Sequence, residues 1–145
     1  MGARHLALAV ARVRYPSVVL DTCVLIDAYL CPQRGLAPPI ALPVDVPLEV
    51  FAYSLYEFLH GRKGALLAKE ERDARRAWLD EHRIGRVTPG KDAARTFESL
   101  LHTASCPPGV VDALIAAGCV AEKRPLLTRN LGDFEGVPGL VLVQS

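Results

Sequence analysis

Short apolar runs alternate along this chain with longer stretches in which apolar residues recur every three or four positions, and that alternation predicts the element order. Ser17-Val18-Val19-Leu20 is apolar and β-branched, the composition of a strand buried on both faces. Asp21 closes the run, Thr22 can satisfy the backbone at the turn, and Val24 to Tyr29 has helical apolar spacing. Leu48 to Tyr53 reads as a second strand. Ser54-Leu55-Tyr56-Glu57 then opens a helix ending at Gly61, with Ser54 and Glu57 spaced as a capping box. Ala65 to Arg83 is a charged helix with Leu66, Leu67, Ala74, Trp78 and Leu79 on its apolar side. Its charges read as a solvated face laced by Glu71 with Arg75 and Arg76 with Asp80; the competing reading has Arg72, Arg75, Arg76 and Arg83 touching phosphates. Gly85 to Pro89 is extended. Lys91 to Ala104 is a helix with Ala94, Phe97, Leu100 and Leu101 on one side, stopped by Cys106-Pro107-Pro108-Gly109. Val110 to Glu122 is apolar nearly all round, as in a helix packed against a sheet. Leu126-Leu127-Thr128 is a short strand, Arg129 to Phe134 a turn, and Leu140 to Val143 a closing strand. Apolar strands alternating with helices specify an α/β domain whose parallel sheet is covered on both faces.

Two stretches stand outside that rhythm. Cys31 to Pro47 holds five prolines, which remove donors and fix φ, so loop or extended chain is expected there, with a short edge strand near Ile40. A loop of that length inside a domain tends to be functional or mobile. His5 to Val13 is apolar but short, is broken by Arg12 and is followed by no clear cleavage site, so it reads as an extra strand or helix and not as a signal peptide. The expected division is an extension over residues 1–16 and one domain over 17–145.

Composition narrows the functional classes. The chain balances 17 basic against 16 acidic residues for a formal charge of +1, whereas a protein gripping nucleic acid by charge alone would be more basic. Any nucleic-acid chemistry must therefore be local. No run reaches the roughly 18 apolar residues of a membrane helix. Cys23, Cys31, Cys106 and Cys119 form no CxxC pair and no zinc-like spacing; they read as small buried hydrophobes in a reducing compartment, as in the cytoplasm.

Asp21, Glu57, Asp112 and Asp133 each lie where a strand ends or a helix begins. Each has an ordinary structural role available, as turn, cap or first-turn acid. In a parallel sheet, however, strand ends and the following helix starts gather on one edge, where ligands bind. Carboxylates gathered there repel one another unless a cation intervenes, and an oxygen-only set suits Mg²⁺ or Mn²⁺ better than Zn²⁺. Metal-assisted phosphodiester hydrolysis is the chemistry that best uses such a set.

Four blocks then carry a resemblance: Val19-Leu20-Asp21-Thr22-Cys23-Val24-Leu25-Ile26-Asp27, Leu55-Tyr56-Glu57-Phe58-Leu59-His60-Gly61, Asp112-Ala113-Leu114-Ile115-Ala116-Ala117 and Leu127-Thr128-Arg129-Asn130-Leu131-Gly132-Asp133-Phe134. In this order and spacing the chain from Ser17 onward resembles the PIN domain, and within it the VapC-type toxin ribonucleases. The resemblance implies a three-layer α/β/α sandwich, a Mg²⁺ or Mn²⁺ site and endoribonuclease activity on RNA. It also implies a homodimer and a small antitoxin whose C-terminal segment plugs the groove. By position, Asp21 and Asp112 would be the principal metal ligands, Glu57 would complete the set or hold a metal-bound water, and Asp133 matches the family's more variable fourth acid. Thr128 and Asn130 match its Thr-x-Asn/Asp element, expected with Thr22 to orient ligands, and Arg129 is a candidate contact to RNA. Three departures stand out: Cys23 where the family usually has Asn or Ser, the Pro-rich segment before Leu48, and the long chain before Ser17. The competing readings are a housekeeping RNA-processing or DNA-acting nuclease of the same fold, and an inactive PIN-like module that binds RNA or protein. A nucleotide binder with a Rossmann-like sheet is disfavoured, because no glycine-rich loop follows the first strand.

Overall fold

Val18 and Leu20 pack into one hydrophobic cluster and Val19, between them, into another, so the first central strand is buried on both faces. Leu126 and Leu127, Leu142 and Val143, and Phe51 and Val50 divide between the same two clusters. That alternation is the period-2 signature of a sheet sandwiched between two helical layers. The computed structural model describes residues 2–61, 65–102 and 109–144. In chain order its elements are β1 (Arg4–Ala7), α1 (Leu8–Arg14), β2 (Val18–Leu20), α2 (Thr22–Gln33), β3 (Leu48–Phe51), α3 (Ala52–His60), α4 (Lys69–Glu81), β4 (Gly85–Val87), α5 (Lys91–Leu100), α6 (Val110–Glu122), β5 (Leu126–Leu127), α7 (Leu131–Phe134) and β6 (Val141–Gln144). The six strands run in the order β1-β6-β5-β2-β3-β4, and every pairing is parallel. Residues of α1 to α4 fill the cluster on one face and those of α5 to α7 the cluster on the other, giving a three-layer α/β/α sandwich.

The strand order fixes where a ligand can bind. From β2 the chain passes to β3 and then β4 on one side, while β5 and β6 lie on the other. The order reverses between β2 and β5, where Val19 stands opposite Leu126 and Leu20 opposite Leu127, so a crevice opens beyond their carboxyl ends.

Several local expectations are corrected. Strand β3 ends at Phe51 and α3 begins at Ala52, so Ser54 lies within the helix: its buried Oγ has no hydrogen-bond partner and no capping box forms with Glu57. The end of α3 at Gly61 does match, with that glycine at φ 73°, a conformation L side chains rarely adopt. Helix α2 continues through Pro32 to Gln33, and residues 36–47 contain no strand near Ile40. Helix α5 stops at Leu100, short of the expected Ala104, and 131–134, expected as turn, form the short α7. The proposed stop at Cys106-Pro107-Pro108 lies outside the described residues. Arg76 pairs with Asp73, at 3.4 Å, and Asp80 instead takes Arg86, at 3.0 Å.

Arg75 is the largest of these corrections, being neither a solvated nor a phosphate-facing residue. Its Nη1 donates to the Phe58 carbonyl at 2.8 Å, its Nε to Glu71 at 3.1 Å, and its guanidinium stacks 4.9 Å from the Tyr29 ring centroid and 5.1 Å from that of Phe58. Tyr29, Phe58 and Trp78 meet around it with ring centroids 5.5–5.9 Å apart, locking α2, α3 and α4 together. Residues 4–14 pack with the rest of the fold: β1 pairs with β6 at the sheet edge, Arg4 opposite Val141 and Ala7 opposite Gln144, and α1 buries Ala11 completely.

Candidate active site

Asp21 follows β2 directly and caps α2: its Oδ1 accepts the Thr22 backbone N–H at 2.8 Å. Its other oxygen accepts the Thr128 hydroxyl at 2.7 Å and the Cys23 thiol at 3.3 Å. Only 3% of Asp21 is exposed, so three donors hold a carboxylate that is almost out of solvent. Burial first, and then the adjacent Asp21 carboxylate, push the Cys23 thiol up, which keeps it protonated and therefore a donor. The Cys23 thiol is thus one of the donors that fix Asp21.

Hydroxyls from distant parts of the chain extend this network. Thr22 Oγ1 donates to Glu57 Oε1 at 2.7 Å, tying the start of α2 to α3. Thr128, just beyond β5, also accepts the Asn130 backbone N–H at 3.0 Å, which shapes the turn leading to α7. Glu57, Asp112, Asn130 and Asp133, with Gly109, Val110 and Val111, line one open cleft of ≈ 400 Å³ at the carboxyl edge of the sheet. The lining contains three carboxylates and no Lys or Arg.

Of the acids singled out from sequence, three line the cleft; Asp21 does not, lying behind it and reaching it through Thr22 and Glu57. Among the described residues no three His, Cys, Asp or Glu side chains converge closely enough to form a metal-ligand set. Asp21 and Glu57 are each held by a threonine hydroxyl. In donor type the set fits a hard divalent cation, since oxygen is the only ligand atom the acidic and amide side chains of the lining present. Arg129 lies outside the lining, with its Nε 3.1 Å from Asp27 on α2. Sequence reading did not assign roles to Asp27 or to the cleft wall at Gly109, Val110 and Val111; Asp27 lies about a turn and a half into α2.

Thr128 is the keystone of this arrangement, so Thr128→Val should cost about 3 kcal/mol and lower the melting temperature by roughly 10 °C. The isostere leaves a buried carboxylate short of a donor and the Asn130 N–H without its acceptor. Thr128→Ser, which keeps the hydroxyl, should melt close to the parent; thermal melts of the pair check this.

No family model matches the chain, and neither does any curated protein. Solved structures do. VapBC-1 from nontypeable Haemophilus influenzae superposes with a TM-score of 0.65 at 20% identity, over 88% of this chain and 96% of that one. VapBC2 from Rickettsia felis, bound to a DNA fragment from its promoter, gives 0.62 at 20%, over 88% and 96%. A toxin–antitoxin complex from Klebsiella pneumoniae gives 0.61 at 23%, over 89% and 97%. At these identities the likeness establishes the fold: the chain is PIN-like over most of its length.

Proposed function

We propose that the chain is a Mg²⁺- or Mn²⁺-dependent endoribonuclease and the toxin of a two-protein toxin–antitoxin pair. One observation carries the reading: at the switch point of a parallel sheet, carboxylates from three different elements line a single cleft, with a fourth buried directly behind them. In this reading Asp21, Glu57, Asp112 and Asp133 hold the cation, which would supply an activated water and a positive charge against the phosphate. Thr22 and Thr128 orient Glu57 and Asp21 by donating to them, and Cys23 assists. Asn130, on the rim, is placed to hydrogen-bond a phosphate oxygen or the water. RNA enters as a single strand or loop, and Arg129 is the candidate contact to it, its guanidinium held by Asp27.

The likeness to proteins solved as toxin–antitoxin complexes supports a small antitoxin as partner, and a homodimer accompanies that assignment. Among the described residues no helix is long and apolar enough to cross a membrane, and Cys23, Cys31 and Cys119 are free thiols. Both agree with work in the cytoplasm. The test is cleavage of a structured RNA pool by the purified protein with Mn²⁺, Mg²⁺ or EDTA. Cutting that needs the metal is expected; no cutting, together with no metal-induced rise in melting temperature, would leave an inactive PIN-like binding module as the better description.

A further inference from the structure

The chain before Ser17 does more than lengthen the sheet. Arg4 and Tyr15, from that extension, meet Lys123 and Arg124, from the turn between α6 and β5, around a pocket of ≈ 260 Å³. Cys119 and Gly139 are also in its wall. It lies at the amino edge of the sheet, where β1 and β6 begin, and so faces away from the carboxylate cleft. Helix α6 separates the two: Asp112 is in its first turn and Lys123 caps its end, about 16 Å away at 1.5 Å per residue.

The charge of this pocket is opposite to that of the cleft. Three cations line it and no carboxylate does. Several cations elsewhere are paired at contact, as in Lys69 with Asp73, Arg95 with Asp92 and Arg129 with Asp27. Arg4 and Lys123 have no such partner among the described residues. Arg124 is fixed in place: its Nε donates to Ser17 Oγ at 2.9 Å and its Nη1 to the Glu122 carbonyl at 2.9 Å. Ser17 in turn donates to Glu49, which stands 3.6 Å from Arg124 and offsets part of its charge from behind. Glu122 is turned away, with its carboxylate on the Gly90 N–H.

Lys123 supplies a second, independent sign. It occupies the left-handed conformation, φ 54° and ψ 53°, at the C-cap of α6. Glycine is the ordinary residue there, and a side chain forced into that conformation at a pocket wall points to a function for the side chain. We propose that this pocket binds a small phosphoryl-bearing ligand, held by Arg4, Lys123 and Arg124 at a site separate from the carboxylate cleft. The proposal does not rest on the nuclease reading.

The experiment is thermal melting of the full chain in EDTA, at ionic strength matched with KCl, with inorganic phosphate, pyrophosphate or AMP. At a hundredfold excess over Kd, at least one of these should raise the melting temperature by roughly 5 °C or more. Lys123→Gly should melt no lower than the parent, because it relieves the left-handed strain, yet lose the ligand-induced rise. Arg4→Ala should weaken the rise, and Asp112→Asn, remote from the pocket, should retain it in full. A larger rise with AMP than with phosphate identifies a nucleotide as the source of the phosphoryl group; equal rises identify free phosphate. The proposal is overturned if none of the three shifts the melt at millimolar concentration, if Lys123→Gly responds like the parent, or if only an oligonucleotide protects.

Discussion

Asp112→Asn should abolish metal-dependent RNA cleavage, lowering the rate at least about 100-fold, while the protein still melts cooperatively in EDTA. Asn keeps the size and one oxygen of Asp but removes the charge that a hard divalent cation requires. Asp112 is in the first turn of α6, where the helix dipole favours an acid by roughly 0.3–1 kcal/mol, and that contribution is lost. Asp21→Asn would also stop cleavage, but it is a poorer test. One Asp21 oxygen accepts the Thr22 N–H while the other accepts two further donors, and an amide can satisfy only one of those sides. A buried NH₂ facing a donor would cost about 2–3 kcal/mol, so loss of activity would be mixed with loss of structure. The measurement is therefore initial cleavage rate with Mn²⁺ beside a melt with and without the ion. An Asp112→Asn protein that still cuts at the parental rate would remove the basis for the assignment.

What could be read from sequence follows from which signals are local. The strand at Val18 to Leu20 and the helix from Val110 to Glu122 were legible because burial on both sides leaves an uninterrupted apolar pattern within a few residues. The positions of Asp21 and Asp112 were legible for the same reason, since each terminates or opens such a run, whereas Glu57 lies in the second turn of α3 and not at its start. The contacts that hold them were not. Thr22 and Glu57 are 35 residues apart and Asp21 and Thr128 are 107 apart, and no periodicity encodes a hydroxyl reaching across a sheet. Ser54 shows the converse failure: its spacing from Glu57 satisfies a capping box, but the helix had already begun at Ala52, and a capping residue must stand outside it. The pair of Glu71 with Arg75 forms as read, but the burial of Arg75 was missed because Tyr29 and Phe58 come from other helices. The signal available was its place three residues before Trp78 and four before Leu79, on the apolar side of α4. The extension's role was hidden for a third reason, because strand β1 has meaning only through its pairing with the distant β6.

The second large effect concerns how closely α6 lies on the sheet. Gly118 is in the middle of that helix, where glycine costs about 1 kcal/mol against alanine, so its presence needs a packing reason. The Phe51 ring supplies one: a Cβ built on Gly118 would stand 2.8 Å from its nearest carbon and 2.9 Å from the next. Phe51 is 1% exposed and ends β3, at the point where the chain turns into α3 and on to Glu57, so the ring has no free volume into which to swing. Gly118→Val should therefore force α6 outward, costing about 3 kcal/mol and lowering the melting temperature by roughly 8–12 °C despite the better intrinsic helix propensity of valine. Displacing α6 also displaces Asp112 from Glu57, so metal-dependent cleavage should fall together with stability. Phe51→Leu in the Gly118→Val background makes room beneath the helix and should recover a substantial part of both losses, although Phe51→Leu alone destabilises. Melts and cleavage rates of the two single variants and the double complete the cycle. Strict additivity of the two single effects would mean that Gly118 is not there to admit the ring, and that the close approach of α6 is not what sets the spacing of the acids.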